Sequence, residues 1–415
     1  MSDPTFGISI TRIDNEPRPA VYSDMSVVGL IGTAPEADPV VFPLDTPVFL
    51  YSDDAAKRMA LGTQGTIHDA LTLINAQLGE FQVAAKVVVV RVEEGETVAE
   101  TIANIVGDGI STGLEAFVQA GPLLGIIPRL ICAPGFTSQR SGTDANAVCA
   151  ALPALCNKLL AHAVVDGPAT TEQAAIDWRE TLSSSRLIPV DPAVRVMAGT
   201  EVAVMPLSSA VIGIGVRRDH EKQGRPFHSW ANQPVAGIVG PSRPINFSLT
   251  DGATEGQRLL SHNVGVLLRG ELGVETAIAS GGFVYVGTDN AGEDDLWRFY
   301  NVTRGRDYIH LMFLRTLRFY LGRFNLTGQT IQAVLNTMGF AMRDLKADGD
   351  ILGYEVKFTR DQNSAEELRQ GRFTINFAAE EAPVLRYLGI QSARYRPALD
   401  ALLDDLLAQV DAVTG

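Results

Sequence analysis

The first apolar positions of the chain alternate with polar or small ones. Within residues 5–13, Phe6, Ile8 and Ile10 alternate with small or polar residues, and a period of two residues predicts a strand. The proline-containing segment 15–19 interrupts the pattern, because proline cannot donate to a strand ladder. A short strand isolated in this way has no neighbour of its own, so we expect it to pair with a distant segment or with another chain.

From residue 27 onward, apolar runs typical of strands alternate with patterns typical of helices. The predicted strands span residues 27–35, 47–51, 86–95, 129–135, 162–168 and 186–192. The predicted helices span residues 53–61, 66–78, 96–107, 114–121, 143–160, 170–184 and 208–222. Strands and helices that alternate at this spacing predict parallel strands joined by right-handed crossovers, which is a layered α/β domain.

Polar segments mark the expected loops of this region. Residues 137–143 (TSQRSGT) follow a strand and are expected to form an exposed loop that tolerates insertions. Thr143 or Asp144 is the expected N-cap of the next helix. Residues 226–245 are rich in proline and glycine and predict a long ordered loop.

The last third of the chain is predicted to contain four strands and three helices. The strands span residues 264–269, 283–288, 354–360 and 371–379, and the helices span residues 308–324, 330–349 and 398–410. Between Pro383 and Pro397 lies a second short apolar segment, with Leu385, Tyr387, Leu388 and Ile390. Because prolines isolate it like the first segment, we expect it to pair with another chain.

Charge and cysteine content narrow the possible functions. The 415 residues carry a formal net charge of −14, which argues against a broad surface for nucleic acid or anionic membranes. The three cysteines, Cys132, Cys149 and Cys156, fit no zinc motif. Cys149 and Cys156 are expected to face a core, which suits folding in a reducing cytoplasm. We predict no signal peptide and no membrane-spanning segment.

Two groups of residues resemble metal sites but are not expected to bind metal. Residues 344–355 resemble a calcium loop, but Lys346 stands where an oxygen ligand is required. A strand is also predicted where that motif needs a second helix, so we expect a helix cap followed by a strand. Residues 219–221, with His228 nearby, are expected to form a solvated charged turn.

No motif for phosphate binding or hydrolysis is found in the sequence. Gly213 and Gly215 lack the spacing of a phosphate loop. The serines at 183–185 and 208–209 lie outside any Gly-x-Ser-x-Gly elbow. We therefore expect no cofactor, no metal and no catalytic residue. An α/β hydrolase whose triad is assembled in space stays an alternative.

The order of the segments resembles the tail sheath family of contractile phages, in particular the small sheaths of temperate myophages and phage-tail-like bacteriocins. The resemblance covers nearly the whole chain and lies in FGISITRIDNEPRP, VVGLIGTAPEAD, KVVVVRVEEG, PRLICAPGFTS, SHNVGVLLR, GGFVYVGTDNAGEDDLWRFYNVTRGRDYI and GRFTINFAAEEAPVLRYLGIQ. An Asn-x-x-Arg helix start, residues 301–304, is part of its most recognisable block. One departure is Gly-Thr-Asp-Asn at residues 287–290, where many members have Gly-x-Arg-Thr.

The resemblance implies a multidomain fold with α/β and α+β parts. An inner α+β domain is expected from residues 23–95 and 280–383. Residues 96–279 are expected to form an outer α/β domain that is related in topology to subtilisin but lacks its catalytic residues. Residues 1–22 and 384–415 are expected to be extended terminal arms. Family members form six-subunit rings stacked in a helical sheath around a tail tube, and the sheath contracts to drive the tube through a target cell envelope.

We expect the arms to add strands to neighbouring subunits. The arm residues that carry this prediction are Phe6, Ile8, Ile10, Leu385, Tyr387, Leu388 and Ile390. The residues of the receiving strands are Tyr354, Val356, Phe358, Phe373, Ile375 and Phe377.

The final helix is expected to meet the tube. Its leucines are predicted to pack on the inner domain of their own subunit, and Asp400, Asp404 and Asp405 are predicted to face basic residues of the tube. Exposed charge pairs are individually weak, so such a contact can release. An ordinary solvated helix face is the alternative.

The expected partners are further copies of the chain, a tail tube protein, and baseplate and tail terminator proteins, with no nucleic acid and no membrane. The expected location is a virion tail or tail-like particle that is assembled in the cytoplasm of the bacterial host. We expect no enzymatic activity. The alternatives are the α/β hydrolase and a tail tube or other capsid component, which predicts a smaller and β-rich single domain.

Overall fold

The computed structural model describes residues 23–79 and 83–414. These residues form two compact units, one that ends at Val384 and one that begins at Leu385. The predicted N-terminal arm strand, residues 5–13, lies outside the described residues.

The first part of the larger unit alternates strands and helices as predicted. Its elements are β1 (Val28–Gly32), β2 (Pro47–Tyr51), α1 (Ala55–Leu61), α2 (Thr66–Ala76), β3 (Lys86–Arg91), α3 (Val98–Val106), a 3₁₀ helix (Gly113–Gln119), α4 (Ala120–Leu124) and β4 (Leu130–Cys132). Side chains fix where two helices begin. Asp54 accepts a hydrogen bond from an amide of α1, and Thr97 and Glu100 form a reciprocal capping box at α3, which satisfies backbone donors left unpaired at a helix start.

The middle of the larger unit contains a strand pair that the sequence pattern did not predict. Its elements are α5 (Ala147–Leu159), β5 (His162–Asp166), α6 (Glu172–Arg179), β6 (Leu187–Asp191), β7 (Val194–Ala198), β8 (Glu201–Met205) and α7 (Leu207–Glu221). Strands β7 and β8 form the unpredicted hairpin. The predicted N-cap of α5 is wrong, because the side chain of Asn146, and not Thr143 or Asp144, accepts hydrogen bonds from the first amides of the helix.

The predicted exposed loop over residues 137–143 is also wrong at its start. Thr137 is fully buried, and its hydroxyl accepts a 2.8 Å hydrogen bond from the Asp166 amide. Its carbonyl accepts a 3.0 Å bond from the indole of Trp178. The exposed segment is residues 141–145, so the site that can tolerate insertions starts later than predicted.

The end of the larger unit brings two long helices against a β-hairpin. Its elements are β9 (Gln233–Pro234), β10 (Gly240–Pro241), α8 (Glu255–Ser261), β11 (Gly265–Arg269), β12 (Phe283–Val286), a 3₁₀ helix (Asp295–Trp297), α9 (Tyr300–Leu317), α10 (Gly328–Ala347), β13 (Ile351–Lys357), α11 (Ala365–Arg369) and β14 (Asn376–Glu381). Helix α9 begins at Tyr300 rather than at residue 308. Its first turns are polar but buried, since Asn301 and Arg304 form hydrogen bonds with other parts of the chain.

Nine strands form one sheet in the order β2-β3-β1-β4-β5-β6-β11-β12-β9. The central strands from β3 to β11 are parallel, as predicted, and the strands at both ends pair antiparallel. The sheet contains strands from residues 23–95, 96–279 and 280–383, so its hydrogen bonding continues across the predicted limits of the inner and outer domains. That division stays a prediction.

Both faces of the central sheet are covered, which explains the continuous apolar runs. Along β3, Val87 and Val89 join one core with α2 and α7, whereas Val88 and Val90 join a second core with α3 and α5. Gly213 of α7 shows how closely the layers pack, because a Cβ there would lie 2.8 Å from the Gln77 side chain. Close packing therefore accounts for this glycine without a phosphate loop.

A third core joins α9, α10 and the β13–β14 hairpin. Met342 and Ile309 are fully buried in it, and Met25 from the first described residues reaches it too. The three cysteines of the chain are all buried, as predicted for Cys149 and Cys156, and burial raises the pKa of each thiol.

The smaller unit consists of a segment without helix or strand, residues 385–396, and one helix, α12 (Pro397–Thr414). The helix is close to the predicted span of 398–410. Within the described ranges, no helix is both long enough and apolar enough to cross a membrane.

Candidate assembly surfaces

The predicted receiving strands form an antiparallel hairpin in the structure. Tyr354 pairs with Ala379, and Val356 pairs with Phe377. The strands lie at residues 351–357 and 376–381 instead of 354–360 and 371–379, so Phe358, Phe373 and Ile375 fall outside them. Five of the predicted residues pack partly buried against the third core: Tyr354, Val356, Phe373, Ile375 and Phe377. Phe358 is 38% exposed.

This hairpin is held firmly from the helical side. The Arg306 guanidinium of α9 donates to both Glu381 carboxylate oxygens, at 2.6 and 2.9 Å, and to the Ala379 carbonyl at 2.7 Å. In the described part of the chain, β13 and β14 pair only with each other. Each strand therefore has one edge without a strand partner, which is the geometry that strand addition requires.

The C-terminal arm residues present a row of apolar side chains. Leu385, Tyr387, Leu388 and Ile390 are between 71% and 85% exposed. They belong to no strand within the described residues. Phe6, Ile8 and Ile10 of the N-terminal arm lie outside the described part, so the pairing of either arm with the hairpin of another subunit stays a prediction.

Helix α12 is amphipathic. Its apolar side chains Leu399, Leu402, Leu403, Leu406, Leu407 and Val410 are between 47% and 62% exposed. The predicted tube-contact residues Asp400, Asp404 and Asp405 are exposed as well. The helix therefore has an exposed apolar side and an exposed acidic side, and either could contact another protein.

A buried ion pair that the sequence did not predict joins α7 to α9. Both terminal nitrogens of the Arg304 guanidinium donate to the Asp219 carboxylate, at 3.1 and 2.5 Å, and both residues are at most 2% exposed. The guanidinium also donates to the Met25 carbonyl at 3.2 Å and lies 4.8 Å from the centroid of the Trp230 ring. Burial raises the pKa of Asp219, and the charge of Arg304 opposes that shift.

This pair corrects the predicted solvated turn at residues 219–221. His220 and Glu221 are exposed, as predicted, but Asp219 is buried. The sequence feature that could have indicated this buried pair is the Asn-x-x-Arg motif at the start of α9. Asn301 donates to the carbonyls of Phe227 and Ala382, so both polar residues of that motif connect α9 to other elements.

The residues that resembled chemical sites have structural roles. The Ser208 amide and hydroxyl donate to the two Asp166 oxygens, at 2.7 and 2.6 Å, so the carboxylate caps α7. Burial raises the pKa of Asp166 to about 6. In the calcium-like segment, α10 ends at Ala347 and β13 begins at Ile351, as the helix-cap prediction required. Among the described residues, no group of three potential metal ligands is found.

Comparisons with known proteins give one consistent result. No protein-family model matches the chain. It is 28% identical over 383 residues to a protein of Pseudomonas aeruginosa strain UCBPP-PA14 named as a prophage major tail sheath protein, covering 91% of this chain and 93% of the relative. It is 26% identical over 403 residues to the tail sheath protein of Escherichia phage P2, covering 94% and 96%.

Solved structures agree on the fold. The sheath of an extracellular contractile injection system, PVC, in the contracted state matches with a TM-score of 0.68 at 13% identity, covering 96% of this chain and 99% of that chain. The contracted helical sheath of the anti-feeding prophage matches with a TM-score of 0.68 at 15% identity, covering 95% and 100%.

Proposed function

We propose, because this chain belongs to the contractile tail sheath family, that it polymerises as hexameric rings in a helical sheath around a tail tube. Contraction of that sheath would drive the tube through the envelope of a target cell. The chain is a structural protein and not an enzyme. The observation that carries the proposal is the similarity to tail sheath proteins along more than nine-tenths of the chain.

We propose that subunits are linked by strand addition. Within the described residues, the hairpin of β13 and β14 has edges without a strand partner, and the arm segments supply apolar residues, namely Phe6, Ile8, Ile10, Leu385, Tyr387, Leu388 and Ile390. Main-chain hydrogen bonds would hold each link while the bodies change their packing. Contacts of this head-to-tail kind need not close into a ring, so they can also continue as a helix.

The energy of contraction is proposed to come from packing. An extended sheath is a metastable arrangement that relaxes to a denser one, with no nucleotide involved.

The domain division is also a proposal. Residues 96–279 would form the outer layer with a topology related to subtilisin, and residues 23–95 and 280–383 would form the inner layer.

The tube contact is proposed to lie on α12. Asp400, Asp404 and Asp405 would face basic residues of the tube protein, and weak exposed ion pairs would let the sheath release it. The other proposed partners are baseplate and tail terminator proteins. The proposed location is the tail of a virion or tail-like particle, assembled in the bacterial cytoplasm.

Electron microscopy of the purified chain tests the proposal. We expect rods or rings from the full chain. A variant that lacks residues 1–18 should remain folded and soluble but should form no long polymers, because one strand of each link is missing. Thermal unfolding of the variant serves as the control for folding.

Two results would contradict the proposal at different points. A full chain that stays a compact monomer at every concentration, also with its tube present, would reject the sheath function. Normal polymers from the truncated chain would reject the arm as the link while leaving the sheath function intact.

A further inference from the structure

The turn between α9 and α10 borders a large apolar groove on the body of the subunit. The groove has a volume of about 950 Å³, near the upper limit of sites that enclose small ligands. Side chains at its rim are open to solvent: Leu314 is 62% exposed, Leu321 is 77% exposed and Phe324 is 42% exposed. Phe373, Ile375 and Phe377 close it from the side of the hairpin. Apolar surface of this extent on a soluble protein marks an interaction site.

The segment around the α9–α10 turn is basic, although the chain as a whole is acidic. Residues 308–327 contain Arg315, Arg318 and Arg323 and no acidic residue. All three arginines are exposed, and Arg318 lines the groove. A partner that fits both the shape and the charge of this surface combines an apolar stripe with acidic flanks.

Helix α12 has that combination. It contains four aspartates and no basic residue. At about 3.6 residues per turn, its five leucines and Val410 form one stripe, and Asp400, Asp404 and Asp411 run along one border of it. Insertion of the stripe into the groove would bring this border close to Arg318. An amphipathic helix in an apolar groove is a recurring mode of recognition.

We propose that α12 of one copy of this chain docks with its leucine stripe in the α9–α10 groove of a second copy. The linker of residues 385–396 has no helix or strand and can span about 40 Å when extended. Docking would bury two apolar surfaces that the single chain leaves exposed. This docking would replace the predicted packing of the leucines on their own subunit, and it would occupy Asp400 and Asp404 in place of the tube contact proposed for them. Asp405 lies away from that border of the stripe and would remain for the tube. This inference rests on the proposed self-assembly.

Cysteine crosslinking between two tagged forms of the full chain tests the contact. One form carries Leu314→Cys in the groove and the other carries Leu403→Cys on α12, so neither can crosslink its own groove to its own helix. A short bismaleimide is added to the mixture, both in polymers and in the soluble fraction. The native cysteines are buried and should not react. Leu272→Cys replaces the groove variant as a control, because Leu272 is 88% exposed and lies outside the groove.

We expect heterodimers that join the two tags, at a yield well above that of the Leu272→Cys control. Charge reversal by Arg318→Asp or by Asp404→Arg should lower this yield, and the combination of both should restore it. A chain that carries both cysteines and crosslinks only within itself would overturn the proposal in favour of docking in the same subunit. The absence of crosslinks between the two tagged forms would overturn it as well. If the wild-type chain forms rods but these crosslinks are absent, the groove contact fails while the sheath function stands.

Discussion

Removal of the carboxylate of Asp219 should destabilise the subunit severely. In the variant Asp219→Leu, the Arg304 guanidinium would keep the Met25 carbonyl and the face of Trp230 but would lose its counter-charge. Arg304 is 0% exposed, so water cannot compensate for the loss. Breaking a buried pair in this way costs about 3–5 kcal/mol of the free energy of unfolding.

The double variant Asp219→Leu, Arg304→Met should recover most of that loss. It removes both charges and leaves apolar side chains of similar size, a replacement that is often neutral or stabilising. The matched control is the pair of Arg343 and Asp344, whose side chains are 62% and 51% exposed. Because exposed pairs contribute at most about 1 kcal/mol, Asp344→Leu should change the stability little.

Urea unfolding followed by tryptophan fluorescence measures these differences, and Trp230 lies directly against the altered charge. The slope of the free energy against urea should stay constant across the variants, so that shifts of the midpoint report stability. If Asp219→Leu unfolds within about 1 kcal/mol of the wild type, the burial argument is refuted. A double variant as unstable as the single one would refute the role of the unpaired charge.

Three further predictions concern other parts of the chain. A short glycine–serine insertion after Gly142 should leave folding and assembly intact, whereas the same insertion after Thr137 should lower the melting temperature, because only the first site is exposed; equal melting temperatures would contradict this. The variant Asp400→Asn, Asp404→Asn, Asp405→Asn should weaken assembly on the tube and leave thermal stability nearly unchanged, and Asp405→Asn alone should weaken it too, because Asp405 is the one of the three that docking in the α9–α10 groove does not use; unchanged assembly of the triple variant would locate the tube contact elsewhere. Burial raises the pKa of Asp166 to about 6, above the value of about 3.9 in an unfolded chain. As the pH rises, Asp166 therefore loses its proton in the unfolded chain before it does so in the folded protein. The free energy of unfolding should fall as the pH rises from about 4 to about 6, and it should fall more in the wild type than in Asp166→Asn. Equal falls in parallel urea titrations of the two proteins would contradict this reasoning.

The strands and helices of the body follow closely from local pattern. The run Val87–Val90 predicts a strand buried on both faces, and its residues divide between the two cores in strict alternation. The hairpin of β13 and β14 was likewise predicted from alternation, with limits that differ by a few residues. Where each face of a strand or helix is uniformly buried or exposed, the period of its apolar residues is sufficient to predict the element.

The features that were not predicted depend on contacts between residues distant in sequence, and the local sequence pattern does not reveal such contacts. The start of α9 is polar, yet Asn301 and Arg304 are buried because distant carbonyls and Asp219 satisfy them. The local sequence places Thr137 in a polar loop, but Thr137 is buried and accepts hydrogen bonds from the Asp166 amide and the Trp178 indole. The α9–α10 groove also escapes sequence reasoning, because the apolar run of α9 predicts burial along its whole length.

The position of β1 in the sheet sets how the subunit can carry mechanical load. The first described residues lead from Met25 directly into β1, which is flanked by the parallel strands β3 and β4. Hydrogen bonds of a parallel ladder cross between the strands, so a pull along β1 from its N-terminal end strains them together in shear. The C-terminal unit instead follows β14, which has one strand partner among the described residues, and a pull there can peel the bonds apart one after another. Under tension, the C-terminal connection should therefore yield before the N-terminal one.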